Sequence, residues 1–195
     1  MEIREKETYD PGDDTFLLLR AALKEVKPSD YVLEVGCGRA VISGEMAKIA
    51  RRVIAVDINP HAMGIARSKG LEAIRTDLFK GLKGKFDLIL FNPPYLPTFE
   101  EEKVDGWINY AYDGGPTGRD TINRFLEGLK DHLKTEGRAL LLVSSADDIE
   151  EVLSKASAEG FEATEADDEP EKFFFEQLYV FKLRIAQQGR PSCTI

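Results

Sequence analysis

The sequence is short of the residues that bind metals and form disulfides, with two cysteines and two histidines among 195 residues. Cys37 and Cys193 lie far apart, and neither stands at a zinc-ligand spacing from His61 or His132. The sequence therefore predicts no metal site and no disulfide framework. Reduced thiols are typical of the cytoplasm.

Long apolar runs and an excess of basic residues are also missing. No run reaches the roughly 20 apolar residues of a membrane-spanning helix, and the charged N-terminus lacks the apolar centre of a secretory signal. Lysine and arginine number 26 against 35 aspartates and glutamates, which gives a net charge of -9. Nucleic-acid binding depends strongly on basic residues that neutralise phosphates, so the acidic excess predicts no direct binding of nucleic acids. With no membrane-spanning run and no secretory signal, we expect a cytoplasmic protein that does not bind membranes.

The sequence does contain a regular alternation of strand and helix patterns. Apolar strands are predicted at residues 31–35, 52–57, 72–77, 86–91 and 139–145. Helices are predicted near residues 15–26, 40–49, 60–68, 120–133 and 148–158, and Asp13 or Asp14 is expected to cap the first of them. Nearly continuous apolar strands that alternate with helices are typical of an α/β protein whose parallel sheet is covered on both faces.

The pattern changes near the end of the chain, where strands 161–167 and 173–183 follow each other without an intervening helix. The acidic turn around Asp168, Glu169 and Pro170 is too short for a crossover, so we expect an antiparallel hairpin. The prediction is one domain over residues 1–185, with a seven-stranded, mostly parallel sheet that ends in this hairpin. A flexible tail is expected over residues 186–195.

Acidic residues and glycines gather at the predicted ends of the first three strands. Residues 34–38, Glu-Val-Gly-Cys-Gly, lie where the first strand meets its helix, Asp57 ends the second strand and Asp77 ends the third. The ligand crevice of a doubly wound sheet lies at these carboxyl ends. Val41 stands where the dinucleotide fingerprint needs a third glycine, which disfavours pyrophosphate, whereas the acids suit a cationic ligand. The alternative is a tight turn with helix caps and solvated charges.

A second candidate site is the tetrapeptide Asn92-Pro93-Pro94-Tyr95, directly after the fourth strand. Its two prolines end the strand and stiffen the backbone. The Asn92 side-chain oxygen and the Pro93 carbonyl can each accept one N–H of a planar NH2 group, Pro94 adds no competing N–H, and Tyr95 offers a flat face for stacking. The tetrapeptide therefore predicts a site that orients a planar amino group. The alternative is a strand terminator with an exposed tyrosine.

The strand-end motifs resemble those of the class I S-adenosylmethionine-dependent methyltransferases, which have a Rossmann-like fold. The resemblance implies S-adenosyl-L-methionine as the cofactor, with Asp57 at the ribose, Asp77 at the adenine amino group and Glu34 at the methionine end. The other residues expected around the cofactor are Tyr9, Thr15, Gly36, Gly38, Ile58, Leu78 and Asn92. The tetrapeptide resembles the (D/N/S)-P-P-(Y/F/W) motif of enzymes that methylate adenine N6, cytosine N4 or a glutamine amide, so its four residues are the expected catalytic residues.

Two further segments narrow the resemblance. Residues 9–19 are similar to the opening Y-x-P-x-E-D-T-F-L-L-L of the short eukaryotic and archaeal HemK-like glutamine methyltransferases, with Asp13 in place of glutamate. Trp107 and residues 111–120 loosely resemble that branch's W-x-G-G-x-x-G-R-E segment. The resemblance implies methylation of the glutamine in the Gly-Gly-Gln loop of a class I translation release factor. It also implies a small zinc-binding activator protein that pairs with an edge of the sheet.

Two other functions stay open at this point. An adenine-N6 methyltransferase acting on RNA or DNA would use the same tetrapeptide, and a non-catalytic binding scaffold could share the fold. The segment from residue 98 to 118 is long for a connector. It is predicted to be a substrate-facing lid or binding loop, with a solvated insertion as the alternative.

Overall fold

A computed structural model describes residues 7–99, 101, 106–166, 171–173 and 176–187. Within these residues the strands are β1 (Tyr31–Val35), β2 (Arg52–Asp57), β3 (Glu72–Arg75), β4 (Phe86–Phe91), β5 (Leu133–Ser144), β6 (Phe161–Glu165), β7 (Glu171–Phe173) and β8 (Glu176–Ile185). The α-helices are α1 (Asp13–Glu25), α2 (Val41–Met46), α3 (Pro60–Ser68), α4 (Asp120–His132) and α5 (Ile149–Ala158). Two short 3-10 helices, η1 (Trp107–Ala111) and η2 (Ser145–Asp147), complete the described elements.

The strands form one mixed sheet in the order β3-β2-β1-β4-β5-β8-β6, with β7 paired to β8 off this path. Strands β1 to β5 run parallel, whereas β8 lies antiparallel to both β5 and β6. This topology confirms the predicted α/β class, the seven-stranded path and the C-terminal antiparallel hairpin. The three-residue β7 was not predicted. The acidic turn at 168–170 lies outside the described residues, as does the predicted tail apart from Ala186 and Gln187.

Helices cover both faces of the sheet. Alternate side chains of the central strands point to opposite faces, so each strand contributes to two helix-covered layers. Leu88 and Leu90 of β4 join the cluster that contains the buried faces of α1 and α2. Ile89 and Phe91 join the cluster that contains α4 and α5. Burial on both sides explains why β4 is almost continuously apolar. The central strands are therefore packed on both faces, and their carboxyl ends carry the polar residues described below.

Three predicted boundaries are wrong in informative ways. Helix α1 begins at Asp13, so its N-cap is Gly12 and there is no side-chain cap bond. Neither Asp13 nor Asp14 is therefore the cap. Strand β3 ends at Arg75, which leaves Asp77 in the following turn. Strand β5 begins at Leu133, well before the predicted start, because Leu133 pairs with Phe86 before a bulge in the β4–β5 ladder.

None of the helices in the described part of the chain has the length and apolar character needed to cross a lipid bilayer. The described residues also contain no group of three or more histidine, cysteine, aspartate or glutamate side chains arranged to hold a metal ion.

Candidate functional site

The carboxyl ends of β1, β2 and β4 open into a cavity of about 430 Å³. Every site residue predicted from the sequence lines this cavity: Tyr9, Thr15, Glu34, Gly36, Gly38, Asp57, Ile58, Asp77, Leu78, Asn92, Pro93, Pro94 and Tyr95. Its wall also includes Asp14, Arg124 and Glu176, which the sequence did not single out as site residues. The two predicted sites are thus parts of one cavity.

The turn after β1 leaves open space on the cavity side. Gly38 has a φ of 49°, and a Cβ built on it would meet no heavy atom within 4 Å. A side chain there would project into unfilled volume next to Asp57, whose Oδ2 accepts the Gly38 N–H at 2.9 Å. Because Gly38 also lines the cavity, the turn leaves room for a ligand close to the backbone, as glycines permit.

Asp57 is held at the end of β2 by backbone N–H donors. Its Oδ2 accepts from Gly38 and its Oδ1 accepts from the Asn59 N–H at 2.8 Å. Burial raises the pKa of Asp57, and these hydrogen bonds hold it down in part. The Ile58 backbone also hydrogen-bonds this carboxylate. A carboxylate has about four lone-pair sites, so Asp57 keeps capacity for a further donor, such as a ligand hydroxyl.

Glu34 is a buried carboxyl on the cavity wall, only 5% exposed. Its Oε2 accepts from the Ser43 backbone N–H at 2.7 Å and also from the Ser43 hydroxyl. Burial raises the pKa of Glu34 to about 7, and the nearby Asp57 raises it further while Ser43 lowers it. A cationic ligand would favour the ionised form of this carboxyl.

Asp77 differs from the other two acids because it already has a cationic partner. Arg124 of α4 pairs with its Oδ2, and both side chains are more than one-third exposed. Exposed pairs of this kind contribute little to stability, so a ligand can compete with the pair at small cost. No local sequence signal marks Arg124, because the pair joins residues 47 positions apart.

At the other end of the cavity, the side-chain amide of Asn92 has a hydrogen-bond partner for its nitrogen but, within the described part of the chain, none for its oxygen. Its Nδ2 donates to Asp14 Oδ2 at 2.9 Å. Its Oδ1 is buried and has no hydrogen-bond partner among the described residues. Leaving a buried acceptor unpaired costs about 1–3 kcal/mol, so Oδ1 is the atom of this amide that remains available to an N–H donor.

Asp14, missed as a site residue from the sequence, is buried beneath this amide. Its Oδ1 accepts from the Tyr9 hydroxyl at 3.0 Å and from the Thr15 backbone N–H at 2.6 Å. Burial and the adjacent Asp14 raise the pKa of Tyr9, so its hydroxyl stays protonated and donates. Burial likewise raises the pKa of Tyr95, with contributions from Asp14, Glu176 and Asp147.

The segment after the tetrapeptide folds back over the cavity. Leu96 forms a bridge with Asp113, and the Leu96 N–H donates to the Tyr112 carbonyl at 3.2 Å. Trp107, Tyr110 and Tyr112 of the returning segment line the cavity. Residues 100 and 102–105 lie outside the described part. This placement fits the predicted lid, although its opening and closing stay a prediction.

Comparison with known proteins gives concordant matches. A family model described as "Methyltransferase small domain" matches residues 6–107. A Methanocaldococcus jannaschii protein provisionally named protein N5-glutamine methyltransferase is 43% identical over 162 residues, which cover 80% of this chain and 81% of that protein. Methyltransferase HEMK2 of Mus musculus is 34% identical over 177 residues, 83% of each chain. Among solved structures, the chain matches the E. cuniculi Mtq2–Trm112 complex with a TM-score of 0.76 and 29% identity. The match covers 92% of this chain and 99% of the matched one. That complex is described as responsible for the methylation of the eRF1 translation termination factor.

Proposed function

Because the chain belongs to the methyltransferase small-domain family and to its HemK-like S-adenosylmethionine-dependent members, we propose that it methylates a glutamine side-chain amide nitrogen. The proposed glutamine is that of the Gly-Gly-Gln loop of a class I translation release factor. The observation that carries this proposal is the buried, unpartnered Oδ1 of Asn92, a residue that lines the cavity. The same proposal makes the chain a cytoplasmic enzyme with a single domain over residues 1–185. Membership of an enzyme family sets aside the non-catalytic scaffold.

The cofactor end of the cavity fits S-adenosyl-L-methionine. Bound there, this cofactor supplies an electrophilic methyl group on a sulfonium. We assign its ribose hydroxyls to Asp57, its adenine amino group to Asp77, and its methionine ammonium to Glu34. The remaining contacts are proposed for Gly36 and Gly38 below the ligand and for Tyr9, Thr15, Ile58 and Leu78 around it, all of which line the cavity. Carboxyl groups beside a ligand with two positive charges offset the cost of burying them.

The acceptor end provides the groups that a planar amide needs. An amide nitrogen delocalises its lone pair into the carbonyl, which makes it a poor nucleophile. The Asn92 Oδ1 and the Pro93 carbonyl are proposed to accept one N–H each, which holds the nitrogen and turns its developing lone pair toward the methyl group. Tyr95 supplies a flat surface for stacking. Catalysis then comes mostly from orientation and electrostatics, and proton release can follow transfer.

The edge of the sheet at β3 fits the proposed activator protein. β3 is one of the two terminal strands of the described sheet path, and Ile74 on it is 42% exposed. An exposed edge strand offers unpaired backbone groups that a second chain can pair with. The E. cuniculi relative was solved as a complex with Trm112. We propose that a small zinc-binding partner docks on this edge.

The test is methyl transfer from labelled S-adenosylmethionine to a purified release factor, with and without the partner protein. Substrates are matched: the wild-type Gly-Gly-Gln factor and its Gly-Gly-Ala variant. Label in the glutamine protein alone is the expected result. Equal label in both proteins would reject glutamine as the acceptor, and label in RNA added to the same reaction would favour the adenine-N6 alternative.

A further inference from the structure

We infer that Asp14 is a positioning residue for methyl transfer, which turns the Asn92 side-chain amide so that its oxygen faces the acceptor group. The inference rests on the proposed function, because it concerns the same acceptor site. It adds a residue that touches neither reacting atom and acts through Asn92. The contact is the 2.9 Å hydrogen bond from Asn92 Nδ2 to Asp14 Oδ2.

The orientation follows from the hydrogen-bonding capacity of the two groups. An ionised carboxylate can only accept, whereas an amide has a donating nitrogen and an accepting oxygen. Asp14 therefore pairs with Nδ2 and leaves Oδ1, which is buried and unpartnered among the described residues, as the free acceptor of the amide. The opposite rotamer would place two acceptors against each other and present NH2 to the NH2 of the substrate. Asp14 thus selects the only orientation that can accept a substrate N–H.

Asp14 is itself held rigidly. It is 5% exposed, and its Oδ1 accepts from Tyr9 and from the Thr15 backbone, leaving Oδ2 for Asn92. A Cβ built on Gly12 would lie 2.9 Å from the Tyr9 hydroxyl and 3.0 Å from Asp14 Oδ1. The residue at the start of the helix must therefore be small for the tyrosine to reach the carboxylate.

The support for Asp14 extends into the core. It lies in the first turn of α1, and α1 is anchored by Leu17, Leu18 and Ala21, which are all essentially unexposed. A group carried by a packed helix is placed more accurately than one carried by a loop. Because Asn92 follows the central strand β4, the contact joins two rigid elements across the acceptor end of the cavity.

The first test compares Asp14→Asn with Asp13→Asn, its exposed neighbour in the same helical turn. The new amide at position 14 can donate as well as accept, so Asn92 is free to turn over. We expect kcat for the release factor to fall by about 10- to 100-fold, as a small misplacement of a reacting group does. The dissociation constant for S-adenosylmethionine should stay within about twofold, and Asp13→Asn should behave as wild type. A wild-type kcat in Asp14→Asn overturns the inference.

A double-mutant cycle separates positioning from a general structural role. If Asp14 acts through Asn92, adding Asp14→Asn to Asn92→Ala should cause no further loss of kcat. Losses that multiply would overturn the inference. Should Asp14→Asn not fold, Tyr9→Phe loosens the same carboxylate and should show a smaller loss of kcat that also vanishes in the Asn92→Ala background.

A readout without turnover distinguishes this inference from the proposed function. In the ¹⁵N-labelled protein, the pair of side-chain NH2 signals that is lost in Asn92→Ala belongs to Asn92. These signals should shift and exchange faster with solvent in Asp14→Asn but not in Asp13→Asn. Unchanged signals in Asp14→Asn would overturn the contact with Asp14. A wild-type enzyme that never labels glutamine would instead contradict the proposed function, whatever the spectrum shows.

Discussion

The backbone N–H of Trp107 donates to the carboxylate of Glu7 at 2.9 Å, across 100 positions of the chain. The Glu7 carbonyl also accepts from Asn59 Nδ2 at 2.7 Å. Glu7 therefore ties the segment over the cavity to the turn after β2, beside Asp57. Arg75 stacks its guanidinium over the Trp107 ring at 5.1 Å and adds a second tie. The cover of the cofactor end thus depends on residues from three distant parts of the chain.

Glu7→Ala should loosen this cover. We expect proteases to cut residues 98–118 faster, and we expect a several-fold weaker affinity for S-adenosylmethionine, because a hydrogen bond to a charged group contributes about 1.5–3 kcal/mol and the cover is only partly lost. Limited proteolysis with and without cofactor and substrate measures the first effect, and calorimetry measures the second. Glu150→Ala, an exposed change on α5, is the matched control. Equal cutting in all states would count against a lid.

Asn92→Ala should separate binding from transfer. The substitution removes the buried Oδ1 that is proposed to hold the substrate amide, so we expect methyl transfer to fall by about 100-fold or more. Cofactor affinity should change little, because the methionine, ribose and adenine contacts remain. Single-turnover labelling measures the rate, and calorimetry measures affinity. Asn123→Ala on α4 serves as the control, and a wild-type rate in Asn92→Ala would remove the mechanism.

Asp57→Ala should act in the opposite way and weaken cofactor binding. Loss of hydrogen bonds to a charged group predicts an affinity lower by about 10- to 100-fold. Asp77→Ala should have a smaller effect, since its carboxylate is more exposed and already paired with Arg124. Calorimetric titration of both variants tests this ranking, with thermal unfolding as a check on folding. An unchanged dissociation constant for Asp57→Ala contradicts the ribose assignment.

Cofactor affinity should fall as the pH drops below about 7. Glu34 has a pKa of about 7 because it is buried. The proposed ammonium contact needs its ionised form, so below this pH the ligand must displace a proton. The dissociation constant should rise by up to about tenfold for each pH unit. Titrations from about pH 5.5 to 8 test this. Glu34→Gln should bind S-adenosylmethionine more weakly at high pH, and its dissociation constant should vary less with pH. An equally steep dependence on pH in that variant excludes Glu34 as the cause.

The same carboxyl has the opposite effect on stability. The folded-state pKa of Glu34 is raised from 4.5 to about 7, so between these pH values the folded protein binds more protons than the unfolded chain. The contribution of Glu34 to the free energy of unfolding without ligand should therefore increase as the pH falls through this range. Asp147, whose burial also raises its pKa to about 7, adds in the same direction. Denaturant unfolding of wild type and Glu34→Gln isolates the Glu34 contribution, and a difference between them that does not vary with pH would contradict it.

Much of the architecture was predictable because it depends on neighbours in the chain. The apolar run at residues 86–91, the helix opened by Pro60 and the stop at Pro93 follow from periodicity and from backbone restriction, both of which are local. The pairing of β8 with β5 and β6 was anticipated in direction because no helix separates the last strands. The start of β5 at Leu133 was not, because it depends on a bulge opposite Phe86.

The sequence by itself determined the main strands and helices, the strand ends that carry Glu34, Asp57 and Asn92, and the chemical character of the cavity. Only the tertiary structure decided the partners: Asp14 with Asn92, and Asp77 with Arg124. The physical reason is the sequence separation over which each effect acts. Propensity and periodicity act over a few residues, whereas these contacts span 78 and 47 positions and depend on how α1 and α4 pack beside the ends of the strands.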